Sequence, residues 1–65
     1  MNIHFIKDKE NSNYLTRTNK WTHLLYKAQI FTSIGTARAK KSVVSKKYNK
    51  KLSLETYELT YLGDN

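Results

Sequence analysis

Sixty-five residues make one domain close to the lower size limit for folding unaided, and the lack of cysteine excludes disulfide staples and thiolate metal sites. A hydrophobic content of 38% builds one small core and leaves no room for a buried active-site cleft. A formal charge of +7 and a pI near 9.8 call for an anionic partner, whether nucleic acid, an anionic membrane surface or an acidic protein.

In chain order, Ile3–Lys7 alternates apolar and polar side chains and predicts a strand. Asp8–Asn13 is a polar turn cluster, and Tyr14–Thr18, rich in β-branched and aromatic residues, predicts the returning strand of a hairpin. Asn19-Lys20 breaks that run before Trp21. Thr22 is placed to cap a short helical turn at His23–Ala28, and Gln29–Phe31 is an extended connector. Thr32 or Ser33 caps the main helix, predicted at Ile34–Asn49. On a helical wheel Ile34, Ala37, Val44 and Tyr48 share one face with the stem of Lys41, while Lys40, Lys46 and Lys47 project from the opposite side. Leu52–Leu62 predicts the last strand. Leu52 and Leu54 lie on the opposite parity from Tyr57, so a bulge is expected near Glu55, and Gly63–Asn65 is a frayed tail.

The expected fold is therefore a single α+β domain spanning residues 1–65. It has a three-stranded antiparallel sheet, made of the N-terminal hairpin and the C-terminal strand, packed by one main basic helix with a short helical turn before it. By area bookkeeping a core of this size leaves about 3–5 kcal/mol of net stability, so a homodimer or ordering on a ligand is a natural supplement. The N-terminus lacks the charged-then-apolar pattern of a signal peptide, and no apolar run approaches the roughly 20 residues of a membrane span. The basic helix also lacks a broad apolar face to insert into a bilayer. A soluble, cytoplasmic protein with no membrane partner is expected.

Charge placement carries the functional signal. No acidic residue lies between Glu10 and Glu55, yet ten of the twelve Lys and Arg do, seven of them within Arg38–Lys51. Solvated helices usually mix signs to gain pairs one turn apart, and a block of one sign repels itself. The candidate nucleic-acid surface is Arg38, Lys40, Lys41, Lys46, Lys47, Lys50 and Lys51, with Arg17 and Lys20 outside the helix and Lys27 adding further charge. Ten Lys against two Arg favours point-charge contacts with phosphates over bidentate base reading. Low sequence specificity and a strong salt dependence follow. Structured or single-stranded RNA suits such a surface, and no second helix completes a helix-turn-helix for DNA. Trp21 and Tyr14 are candidates for base stacking if exposed, and for the core if buried. The two histidines, His4 and His23, fall in separate predicted elements, and no metal cluster, phosphate-cradling glycine loop or nucleophile motif is present. No catalytic residue, metal or cofactor is expected.

The run Tyr14-Leu15-Thr16, then Trp21-Thr22, then Lys27–Ser33, resembles a pattern of small tailed-phage (T4-like) open reading frames over nearly the whole chain. In size class and charge the protein is similar to phage antitoxins of the ToxIN inhibitory factor (TifA) type. The resemblance implies a phage-encoded counter-defence protein, acting in the cytoplasm of an infected bacterium as inhibitor of a host ribonuclease toxin. It supplies no functional positions. A toxin that grips RNA is basic along its groove, and placing a +7 protein there sets like charges together at a cost that reaches several kcal/mol. RNA bridging the two removes the conflict. The alternatives are a protein-only inhibitor docking its basic face on an acidic host enzyme, and a small DNA-binding regulator.

Overall fold

The computed structural model describes residues 1–59. Four strands form one antiparallel sheet: β1 (Asn2–Asp8), β2 (Asn13–Leu15), β3 (Trp21–Thr22) and β4 (Leu52–Glu58), in spatial order β3-β2-β1-β4. One α-helix, α1 (Ile34–Tyr48), packs on the sheet, and a 3₁₀ turn at Leu25–Lys27 precedes it. The α+β class stands as expected, with four strands in place of three. The added strand is β3. The Thr16 N–H donates to Lys20 O at 2.8 Å, and the Asn19 N–H donates to Thr16 O at 3.0 Å. Asn19 takes a left-handed conformation (φ 63°), which a short polar side chain tolerates. The resulting tight loop brings Trp21 opposite Leu15. The segment expected to break the sheet thus closes a second hairpin, and β2 ends at Leu15 where the extended run was expected to reach Thr18.

β1 and β4 pair without interruption from Asn2↔Glu58 to Asp8↔Leu52. No bulge forms at Glu55. The parity change in β4 has another cause, since both faces of the sheet pack side chains. On one face Ile6, Leu15, Phe31 and Leu52 meet Ala37 and Val44 of α1, with Trp21 and Leu54 against them. On the other, Ile3, Phe5 and Ala28 cluster with Tyr14, and Tyr57 stands edge-on to Phe5 at 5.7 Å between ring centroids. Thr60–Leu62 of the expected last strand, and the tail after it, lie outside the described residues.

Helix α1 starts where its caps dictate. Ser33 Oγ accepts from the Thr36 N–H at 3.4 Å, and Asn49 ends the helix in a left-handed conformation (φ 52°). Its buried stripe is narrow. Ala37 and Val44 are buried, whereas Ile34 and Tyr48, expected on the same face, stay 43% and 41% exposed. Lys40 and Lys41 flank the stripe half-buried, so Lys40 does not project from the far side as the wheel predicted. Before α1, Thr22 Oγ1 accepts from the Leu24 N–H at 3.1 Å and steers the chain into the 3₁₀ turn, which is shorter than the expected His23–Ala28. The connector then docks on β1: the His4 N–H donates to Phe31 O at 2.8 Å, and the Phe31 N–H donates to His4 O at 3.0 Å.

Candidate nucleic-acid interface

The cations differ in what they touch, and that separates the candidate surface from the lysines held within the fold. Among the described residues two Lys meet a carboxylate. Lys50 Nζ lies 3.0 Å from Asp8 Oδ2, and Lys7 Nζ lies 3.1 Å from Glu55 Oε2. The remaining ten Lys and Arg have no such partner there.

Lys50, expected in the phosphate surface, is the anchor of a buried ion pair. Asp8 is only 1% exposed. It also accepts from the Glu10 N–H at 2.9 Å and from Asn11 Nδ2 at 3.1 Å. The Lys50 ammonium, joined by these donors, holds the Asp8 carboxyl below its ordinary range against the opposing effect of burial. The same ammonium stands over the Trp21 ring, 5.4 Å from its centroid. One side chain thus ties the end of α1 to the β1–β2 turn and to the indole.

Lys7 belongs to a network on the sheet face away from α1. Glu55 accepts from Tyr57 Oη and Tyr14 Oη, each at 2.7 Å, as well as from Lys7. Those donors, Tyr57 first, lower the Glu55 carboxyl, and Glu55 in turn pushes the Tyr57 phenol up to about 12 and raises Tyr14. Tyr14 is half-buried, its hydroxyl committed to Glu55 and its ring set edge-on to Phe5 at 6.0 Å. Its ring serves packing.

Nine of these ten cations fall into two groups, and Lys9 stands apart, exposed in the β1–β2 turn. Arg38, Lys46, Lys47 and Lys51 are exposed along and just beyond α1, with Lys40 and Lys41 half-buried beside them. Cations in the last turn, Lys46 and Lys47, also suit the helix dipole. The second group gathers around the β2–β3 loop. Arg17, Lys20 and Lys27 line an open depression of about 450 Å³ together with Trp21 and the threonines Thr16, Thr18 and Thr22. Trp21 both packs on the core and lines this depression. Lys50, two residues beyond α1, stands over the same indole. Sequence reasoning placed Arg17 and Lys20 in the surface and gave Lys27 only to the general charge. Its convergence with them depends on the 3₁₀ turn folding back toward the hairpin, which no local pattern encodes.

His4 is buried, its Nδ1 2.8 Å from Thr56 Oγ1, while His23 is exposed. Among the described residues no group of three His, Cys, Asp or Glu is placed to hold a metal ion, and no helix is long and apolar enough to cross a membrane. No protein-family model, curated protein or solved structure matches the chain.

Proposed function

We propose that the protein binds RNA through its phosphate backbone. The contact surface runs from the exposed side of α1, through Arg38, Lys46, Lys47 and Lys51, past Trp21 to Arg17 and Lys20. One observation carries this reading. Lys7 and Lys50 are the cations that meet a carboxylate among the described residues, which leaves the other ten Lys and Arg, and a net charge of +7, for an external anion. The balance of lysine over arginine makes the contacts point charges, so affinity varies little with sequence and falls steeply with salt.

In its biological setting, the protein acts as a phage-encoded counter-defence factor in the infected host's cytoplasm. It inhibits an endoribonuclease toxin within a protein–RNA–toxin assembly, because two basic proteins need a polyanion between them. The resemblance to small phage reading frames supports this setting. Inhibition of purified toxin that requires RNA, and disappears after nuclease treatment, is the expected result. Inhibition that survives complete nuclease digestion as a defined one-to-one complex would replace RNA with an acidic protein surface as the partner.

A further inference from the structure

The depression beside the β2–β3 loop differs in kind from the helix surface. Along α1, Arg38, Lys46 and Lys47 are exposed around an open helix surface, which a backbone can pass over. At the loop, Arg17, Lys20 and Lys27 converge on one concavity whose wall includes an indole, and none of its lining residues is acidic. It is an open depression of about 450 Å³, so a ligand would lie against its wall with one side in solvent. Gathering three cations costs stability in a domain with little to spare, and a positive cluster beside an aromatic ring complements one ligand class. That class carries a phosphate and a flat, π-faced group on the same molecule. We propose that this depression is a nucleotide site, in which Arg17, Lys20 and Lys27 take the phosphate and the base packs against Trp21.

The loop is built to hold this arrangement. The Thr16 N–H donates to Lys20 O at 2.8 Å, the Lys20 N–H donates to Thr16 Oγ1 at 3.0 Å, and the left-handed Asn19 completes the turn. The backbone carrying Arg17 and Lys20 is thereby fixed in advance, which lowers the ordering cost of binding. The indole is fixed too. Lys50, anchored by buried Asp8, stands over the ring, which packs against the core cluster while its remaining surface lines the depression. The Arg17 guanidinium near the phosphate adds a bidentate geometry that lysine alone does not offer.

The site deepens the RNA-binding reading but does not depend on it for its own test, because a free nucleotide and a nucleotide within a strand present the same chemistry. Trp21 is the sole tryptophan of the chain and lines the depression, so its fluorescence, excited selectively over tyrosine, reports on the depression's wall. The experiment titrates the full chain with adenosine 5′-monophosphate, adenosine and inorganic phosphate while following that emission. In parallel, labelled oligoadenylate is followed by anisotropy. The monophosphate is expected to give a saturable change with an affinity at least about tenfold above that of either fragment. Arg17→Ala/Lys20→Ala should weaken it about tenfold or more, and Lys27→Ala should weaken it in the same direction. Glu55→Gln, on the sheet face away from α1, should leave the monophosphate within about twofold.

Oligoadenylate binding with no Trp21 response to the monophosphate up to about 10 mM would overturn the nucleotide site and leave RNA binding on the helix standing. A monophosphate response that Arg17→Ala/Lys20→Ala leaves unchanged would also overturn it. A loop-dependent monophosphate response without oligoadenylate binding would establish the site and remove the RNA reading.

Discussion

Lys50 and Lys47 sit three residues apart, carry the same charge, and do opposite things. Lys50 is half-buried, donates to a carboxylate that is 99% withdrawn from solvent, and covers an indole. Lys47 is exposed at the end of α1, with its ammonium 5.5 Å from the centroid of the Tyr48 ring and no carboxylate near it among the described residues. One lysine holds the fold and the other faces outward. The difference lies in where the first acidic segment of the chain folds. Asp8, at the end of β1, reaches the residue that follows the α1 cap, and so singles out one cation from a basic run. Composition alone treats the whole run as one patch.

Changing each member of the pair separates the two roles. The largest effect belongs to Lys50. Lys50→Met leaves Asp8 buried without its cation, which costs about 3 kcal/mol at neutral pH, most of the stability of a domain this small. Urea unfolding should show that loss, and the gap between variant and parent should narrow as pH falls through the carboxylate range, because Asp8 without Lys50 takes up its proton more readily. A Lys50→Met protein as stable as the parent would dissolve the distinction.

Lys46→Glu/Lys47→Glu is expected to leave the unfolding midpoint nearly unchanged, within about 0.5 kcal/mol. RNA affinity should fall about 30-fold, and the slope of log affinity against log salt should shrink by about 1.4 for a single strand. Anisotropy titrations at several salt concentrations measure both quantities.

A smaller effect is expected at Glu55, on the sheet face away from α1. Its carboxylate is partly open to solvent, so Glu55→Gln should cost only about 1 kcal/mol, with RNA affinity within about twofold of the parent. A large change in binding would move the interface to that face.

The pH profile gives the mildest signal. Asp8 and Glu55 are both held below their ordinary values of 3.8 and 4.5. Their contribution is full above those values and is lost as pH falls through the lower, folded-state range. Tyr57, raised from 10.0 to about 12 by Glu55, and Tyr14, also raised, retain their protons in the folded state. Their contribution is present below pH 10 and is lost as pH rises toward 12. The unfolding midpoint should therefore be flat from about pH 5 to pH 9 and fall on either side.

Local patterns made much of the fold legible. The cap signal at Thr32 or Ser33 and the helical spacing after it placed α1 to within one residue, and alternation found β1. β3 was missed because its two residues carry no periodicity, and its existence depends on the left-handed Asn19 closing the loop before it. The bulge expected in β4 came from reading a two-faced strand as one-faced. Leu52 and Leu54 pack toward α1 while Glu55 and Tyr57 serve the aromatic face. The charged surface was legible as a class, since an acid-free stretch is visible in any sequence. Its division was not, because pairing Asp8 with Lys50, and Lys7 with Glu55, joins residues more than forty positions apart. Trp21 was read as either core or stacking residue, and it touches both environments.

The most direct test of the central claim is anisotropy of nuclease-treated protein with labelled single-stranded RNA, duplex RNA and duplex DNA across a salt series, for the parent and for Lys46→Glu/Lys47→Glu. The prediction is tight RNA binding by the parent that weakens steeply with salt, with both affinity and salt slope reduced in the variant. Weak binding to all three nucleic acids, or equal binding by parent and variant, would contradict it and make the outward-facing lysines a surface for an acidic protein or for nothing at all.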